Sequence, residues 1–142
     1  MKTVIALLVS MLGFVSEVAL AENLVVVVHP SNPLTALTRP QLSDLFLGRG
    51  TTFPDGQRAT IVEQARDSRT RESFFRLVNG MSLNQVNTYW ARLTFSGRIN
   101  PPTFMTDGRG VLRTVATNPE AIGYVDAGLV DESVRVLLDL RE

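Results

Sequence analysis

Five consecutive residues combine groups that proteins use to bind oxyanions: Arg66, Asp67, Ser68, Arg69 and Thr70. Ser68 is suited to be a helix N-cap, because its side-chain oxygen can accept an N–H of the first helical turn. The other first-turn amides and the positive end of the helix dipole would then face phosphate, sulfate or carboxylate in front of the cap. The same residues also fit an ordinary capped surface helix with solvated arginines, and the stretch alone leaves both interpretations open.

The flanking segments predict an α/β fold that places this stretch directly after a strand. Residues 24–28 are a continuous apolar, mainly β-branched run, typical of a strand buried on both faces of a parallel sheet. A helix beginning at Thr38 and a second strand over 59–62 follow. This order predicts a βαβ unit with parallel strands. The central helix then covers residues 69–78, and an apolar stripe on one side predicts that it packs on the sheet.

The rest of the chain continues this pattern. The further predicted elements are a helix from Ser82 with Trp90 on its buried face, a helix capped by Thr106-Asp107, and strands over 121–125 and 134–138. Gln41 and Gln85 are placed to complete capping boxes with Thr38 and Ser82. In the last strand, Val134, Val136 and Leu138 are expected to alternate onto one face. The sequence therefore predicts one α/β domain, with a mostly parallel mixed sheet flanked by about four helices.

Three residues outside the central stretch are secondary candidates for the site. Ser31 and Asn32 follow the first strand, and ligands of open α/β sheets bind at the carboxyl ends of the strands. Both residues are equally suited to a simple turn. Arg98 follows the small pair Ser96-Gly97, which could bring the backbone close to a ligand. Its alternative is an ordinary surface arginine.

The N-terminus has the pattern of an export signal. Lys2 precedes an apolar run over 4–15, and Ala19-Leu20-Ala21 fits the rule for a cleavage site. We therefore expect residues 1–21 to be a signal peptide and residues 22–142 to be the mature domain. The chain has no cysteine, so its stability must come from packing rather than disulfides. Export without disulfides favours a bacterial periplasm.

Charge and residue types exclude several classes of function. The formal net charge is zero, which argues against binding to nucleic acid or an anionic membrane. Lys2 is the only lysine, so the mature domain carries only arginine forks, which suit oxyanions. The chain has no motif of a nucleophilic or nucleotide-dependent enzyme. The single histidine, His29, lacks the partners of a metal site. We expect no enzymatic activity, no metal and no cofactor.

Four motifs, taken in order, resemble the substrate-binding proteins of phosphate ABC transporters. They are the segment Asp44-Leu45-Phe46-Leu47-Gly48, the stretch 66–70 ahead of two phenylalanines, the segment Tyr89-Trp90-Ala91-Arg92-Leu93, and the strand Ala121-Ile122-Gly123-Tyr124-Val125. The resemblance covers nearly the whole mature domain and is closest to short members with a single lobe. It implies a periplasmic-binding-protein-like lobe that holds phosphate or a related oxyanion and serves an inner-membrane permease or receptor.

The resemblance also implies roles for individual residues. In the family, a Ser-Gly-Thr at a helix start wraps the phosphate, and an arginine and an aspartate precede it. Ser68 and Thr70 match the serine and threonine, while Arg66 and Asp67 resemble the upstream pair with tighter spacing. Arg69 stands where the family has glycine, and it would either add a bidentate fork or block the anion's approach.

The second departure from the family is size. Full members close two lobes over the ligand, whereas residues 22–142 resemble about one lobe. An anion on one lobe stays hydrated, and charges in water interact weakly. Affinity would then be low, a homodimer would supply the second wall, or a partner protein would be the main ligand. The alternative function is therefore a sensory or protein-interaction module that keeps the fold without tight anion binding.

Overall fold

The computed structural model describes residues 23–97, 99 and 101–141, which form five strands and four α-helices around one mixed sheet. In chain order these are β1 (Leu24–Val28), α1 (Arg39–Phe46), β2 (Thr60–Gln64), α2 (Arg69–Asn79), α3 (Leu83–Phe95), β3 (Thr103–Met105), α4 (Gly108–Thr117), β4 (Ala121–Asp126) and β5 (Arg135–Asp139), with a short 3-10 turn at Ala127–Leu129. The predicted signal peptide lies outside the described residues. Within them, no helix combines the length and apolar character needed to cross a membrane.

The sheet order is β3-β2-β4-β1-β5. Strand β2 pairs in parallel with both β3 and β4, whereas β1 pairs antiparallel with β4 and β5. Four strands therefore run in one direction and β1 runs in the other, which confirms the α/β class with a mostly parallel mixed sheet. The expectation that β1 and β2 are parallel is wrong. A continuous apolar run specifies burial on both faces, but it does not specify the direction of the strand.

Strand β1 is buried on both sides, as its sequence predicts. Leu24, Val26 and Val28 pack into the core beneath α1, α2 and α3. Val25 and Val27 point to the opposite face and pack into the core beneath α4. The sheet is therefore the middle layer of three, with helices on both faces.

Local sequence determines where the helices begin and end. The capping boxes of Thr38 with Gln41 and of Ser82 with Gln85 are both formed. Helix α2 ends at Gly80, whose positive φ of 71° favours glycine. Trp90 is buried as predicted, and its indole N–H donates to the carbonyl of Phe46 at 3.1 Å.

Two features of the edge strands differ from the sequence prediction. Strand β3 was not predicted, because it has three residues and follows two prolines that are typical of a loop. In β5 the alternation of Val134, Val136 and Leu138 is wrong, since Val136 is 41% exposed and Leu137 is buried. The pairing of β5 with β1 contains a register shift between Val26 and Val27. An irregularity of this kind changes which residues face the core.

Candidate functional site

The start of α2 lies at the end of the sheet where β2, β3 and β4 terminate, which we call the carboxyl edge. Gln64 at the end of β2 pairs with Met105 at the end of β3. A four-residue loop leads from Gln64 to α2, and Asp107 caps α4 shortly after β3. Two helix N-termini therefore lie at one edge of the sheet, which is where open α/β sheets bind ligands.

Ser68 is the N-cap of α2, as the sequence predicts. Its backbone is extended, and its hydroxyl oxygen accepts the N–H of Arg71 at 3.0 Å. The N–H of Ser68 donates to the carbonyl of Ala65 at 2.9 Å, which folds the preceding loop into a tight turn. A hydroxyl carries one donor and two acceptor positions. Ser68 can therefore cap the helix and still donate its proton to an anion.

Behind this helix start lies a buried ion pair. Arg71 is 1% exposed and Glu63 is fully buried, and the guanidinium Nε donates to a carboxylate oxygen of Glu63 at 3.1 Å. The hydroxyl of Tyr124 donates to the other oxygen of the same carboxylate at 2.6 Å. Both carboxylate oxygens are thus engaged, as the burial of a charged group requires.

Burial also shifts the proton affinities in this cluster. It raises the pKa of Glu63, although the charge of Arg71 and the hydrogen bonds from Tyr124 and Arg71 act in the opposite direction. The pKa of Tyr124 lies well above its ordinary value, because its phenol is buried and hydrogen-bonded to the Glu63 carboxylate. Tyr124 therefore stays protonated near neutral pH and acts as a donor.

Arg71 also fixes the loop in front of α2. One guanidinium nitrogen donates to the carbonyl of Arg66 at 3.0 Å and to the side-chain oxygen of Asn87 on α3 at 2.7 Å. The Arg71 guanidinium lies 5.3 Å from the ring centroid of Phe75 and 5.5 Å from that of Phe104. One side chain therefore joins β2, α2, α3 and the loop that carries the candidate site.

The structure keeps the five central candidates together at the carboxyl edge. Arg66, Asp67 and Arg69 are exposed, while Ser68 and Thr70 are half-buried. The guanidinium of Arg66 lies over the ring of Phe104, 5.0 Å from its centroid. Two exposed arginines, Arg66 and Arg69, thus precede and follow the N-cap Ser68 in the chain. Guanidinium groups can pair with an oxyanion through bidentate hydrogen bonds.

Ser31 and Asn32 are not part of this cluster. Val28, at the end of β1, pairs with Ile122 and Arg135 near the beginnings of β4 and β5, so the loop after β1 lies at the opposite edge of the sheet. The prediction that they share an edge with Ser68 is corrected by the antiparallel direction of β1.

Both residues form turn contacts instead. The hydroxyl of Ser31 is 2.8 Å from the ring Nδ1 of His29, and the side-chain oxygen of Asn32 accepts the N–H of Leu34 at 2.9 Å. The buried Nδ2 of Asn32 has no hydrogen-bond partner among the described residues. Arg98, the remaining candidate, lies outside the described residues.

The sequence prediction missed Glu63, Asn87, Tyr124 and the side chain of Arg71 as parts of the site. A signal for Arg71 was present, because residues 71, 74, 75 and 78 follow the spacing of one buried helix face. A buried arginine needs hydrogen-bonding or charged partners, but its spacing does not show which residues they are. Within the described part of the chain, no group of three or more metal-binding side chains is assembled.

The fold is similar to those of several solved phosphate-binding proteins. A protein from Clostridium perfringens, assigned as a phosphate ABC transporter substrate-binding protein and solved with bound phosphate, matches with a TM-score of 0.66 and 21% identity over 81% of this chain and 44% of its own. An ABC-type phosphate transport receptor from Vibrio cholerae matches with a TM-score of 0.65 and 25% identity over 81% and 45%. PstS from Borrelia burgdorferi matches with a TM-score of 0.64 and 13% identity over 82% and 46%.

The chain spans less than half the length of each of these proteins. No family model matches the sequence, and no curated protein matches it. The similar structures are binding components of transport systems rather than enzymes, in agreement with the function class expected from the sequence. The chain is therefore a structural relative, with the fold of a single lobe, of the substrate-binding proteins of phosphate ABC transporters.

Proposed function

We propose that this chain is an exported solute-binding protein that holds phosphate or a related oxyanion at the N-terminus of α2. The observation that carries the proposal is the arrangement at the carboxyl edge, where exposed Arg66 and Arg69 flank a helix start capped by Ser68. The fold adds support, because one similar structure contains bound phosphate. First-turn amides, a hydroxyl donor and two guanidinium groups are a complementary set for a small tetrahedral anion.

Each residue of the proposed site has a distinct role. The hydroxyls of Ser68 and Thr70 and the amide of Arg69 donate hydrogen bonds to the anion, and Arg66 and Arg69 balance its charge. Asp67 accepts the proton of hydrogen phosphate. Sulfate has no such proton at neutral pH, so Asp67 would face it as an unpaired carboxylate, and this contrast favours phosphate over sulfate. In this role the guanidinium of Arg69 pairs with the anion, at the position where the family resemblance has a glycine.

We also propose that the protein works in the periplasm with a partner in the inner membrane. Residues 1–21 would direct export to the periplasm and be removed after Ala21, which mass spectrometry of the exported protein would test directly. An inner-membrane permease or receptor would take up the anion or sense the loaded protein. We also propose that a second copy of the chain supplies a further wall of the site.

The test is isothermal titration of the purified exported protein with phosphate, with sulfate as the comparison anion. We expect phosphate to release heat with one site per chain and sulfate to bind at least about tenfold more weakly, a difference of about 1.4 kcal/mol. Equal binding of the two anions would contradict the proposed role of Asp67 in selecting phosphate over sulfate. Absence of binding by both, in a protein that unfolds cooperatively on heating, would contradict the proposed function.

One observation favours a second candidate function, a sensory or protein-interaction module. Arg69 is exposed at the position where the family resemblance has glycine, so its side chain could block a close approach of the anion. Replacing it distinguishes the two functions. If Arg69→Gly creates phosphate binding that the natural chain lacks, then the arginine blocks the site and the interaction module is the better account.

A further inference from the structure

A cavity of about 420 Å³ adjoins the proposed anion site on the side of α3. Arg66 lies on its wall and also belongs to the anion site, so the two spaces meet at this side chain. Arg71 and Asn87 contribute the other polar groups that matter here, and they are already held by the network around Glu63. The remaining wall is mainly apolar and includes Trp90, two prolines at 101 and 102, and Phe104.

This cavity has the size of a site for an organic small molecule. Sites for organic small molecules have volumes of about 300–1,000 Å³, mostly apolar walls and a few placed polar groups. The cavity beside Arg66 matches that description in volume and in wall chemistry.

The apolar surface around the cavity opening also fits an organic ligand. Phe95, at the end of α3, also lines the cavity and is 96% exposed. Phe104 is half-buried, and guanidinium groups lie near its ring. An aromatic or apolar group that entered the cavity would cover this surface while its charged end stayed close to Arg66.

We propose that the ligand of this site is an organic phosphate, a monoester or phosphonate whose apolar group occupies the cavity beside Arg66. This inference rests on the proposed function, because the phosphoryl head is held by the start of α2. It goes further by assigning the cavity as the part of the site that recognises the organic group. Inorganic phosphate then binds to the head-group position alone and leaves the cavity to water.

The experiment compares phenyl phosphate with inorganic phosphate on the full exported chain by isothermal titration. Burial of a phenyl ring predicts that phenyl phosphate binds at least about tenfold more tightly. Trp90 is the only tryptophan and lies on the cavity wall, so its fluorescence reports occupancy. We expect phenyl phosphate to shift the Trp90 emission and inorganic phosphate to leave it nearly unchanged.

Ala91 offers a way to fill the cavity without touching the anion site. It is an exposed residue of α3 on the cavity wall, and leucine is a good helix former, so Ala91→Leu should fold normally. The variant should remove the tenfold advantage of phenyl phosphate and keep the affinity for inorganic phosphate. Asn84→Leu is the matched control, because Asn84 is exposed on the same helix and does not line this cavity.

The outcomes separate this inference from the proposed function. If inorganic phosphate binds and phenyl phosphate is no tighter, the anion site stands and the cavity assignment is overturned. The cavity assignment is also overturned if Ala91→Leu weakens the binding of both ligands equally. If neither ligand binds the folded chain, both proposals fail.

Discussion

Helices α2 and α3 begin with the same cap and are completed in different ways. Ser68 accepts the N–H of Arg71 at 3.0 Å, and Ser82 accepts the N–H of Gln85 at 3.2 Å. In α3, the side chain of Gln85 returns to the N–H of Ser82 at 2.9 Å and closes a capping box. In α2, the third residue is an arginine, which cannot accept a hydrogen bond, and it turns inward to Glu63.

The two helix starts differ in what stabilises them. The start of α3 is stabilised by its own first turn, which is a local arrangement. The start of α2 is stabilised on its buried side, because Arg71 donates hydrogen bonds to Glu63 on β2, Asn87 on α3 and the carbonyl of Arg66. The side that faces solvent then carries Arg66 and Arg69. We call these hydrogen bonds of Arg71 to Glu63, Asn87 and the Arg66 carbonyl the rear support of α2. Supporting contacts of this kind hold neighbouring donors in a defined position.

The largest expected effect comes from removing the rear support. Arg71→Met retains much of the side-chain volume but leaves the Glu63 carboxylate buried without its cation. We expect the free energy of unfolding at pH 7 to fall by about 3–5 kcal/mol. Urea denaturation followed by circular dichroism measures this change. The loss should be smaller in acid, where protonated Glu63 no longer requires a cation.

Arg76→Met is the matched control for that substitution. Arg76 is an exposed arginine of the same helix, and its replacement should change the free energy of unfolding by less than about 0.5 kcal/mol. Similar losses for the two variants would show that Arg71 contributes no more than a surface residue. The contrast between α2 and α3 would then lose its physical basis.

A second prediction concerns the pH dependence of stability. Burial raises the pKa of Glu63 in the folded state, so the folded protein binds this proton more readily than the unfolded chain. The resulting stability is fully present below the unfolded pKa, about 4.3, and is lost as pH rises through the raised folded value. Wild type should therefore lose stability relative to Glu63→Gln as pH increases through this window. Urea denaturation at each pH measures the free energy of unfolding of both proteins. If the difference between wild type and Glu63→Gln does not change with pH, the pKa of Glu63 is not raised.

The third prediction tests the front of α2. Arg69→Ala should weaken phosphate binding about tenfold, because an exposed charge-assisted hydrogen bond is removed. Arg76→Ala removes another exposed arginine further along the same helix and should leave the affinity unchanged. Isothermal titration compares the two. Equal weakening would indicate a diffuse effect of net charge rather than a contact at the helix start.

The smallest expected effect is at α3. Gln85→Ala opens the capping box while Ser82 still caps the helix, so we expect a loss of about 0.5–1 kcal/mol. Thermal unfolding measures this loss. Opening the capping box should not create a phosphate site at the start of α3, since none of the described residues forms a buried ion pair behind that helix start. Phosphate-dependent stabilisation of Gln85→Ala beyond that of wild type would contradict this distinction.

The helix starts could be predicted from the sequence because capping is a local interaction. Thr38, Ser68, Ser82 and Asp107 each bond to an amide three residues ahead, and such spacings can be read directly. The direction of β1 could not be predicted in this way. Its partners, β4 and β5, are about a hundred residues away, and the apolar run is compatible with either orientation.

The same distinction explains which parts of the site were found. The stretch 66–70 is contiguous and lies at a capped helix start, so its chemistry is visible in the sequence. The network behind it joins Glu63 to Tyr124 across 61 positions and Arg71 to Asn87 across 16. Its members become neighbours only when β2, β4, α2 and α3 pack together. Spacing alone would have indicated that Arg71 is buried, but not what it contacts.

Titration of phosphate into Ser68→Ala and Ser82→Ala tests most directly whether the start of α2 binds the anion. Both substitutions remove a serine cap and should cost about 1 kcal/mol of stability, so they are matched in their effect on the fold. We expect Ser68→Ala to lose phosphate binding and Ser82→Ala to bind phosphate like wild type. If both variants bind phosphate as wild type does, or if both lose it equally, the start of α2 is not the anion site.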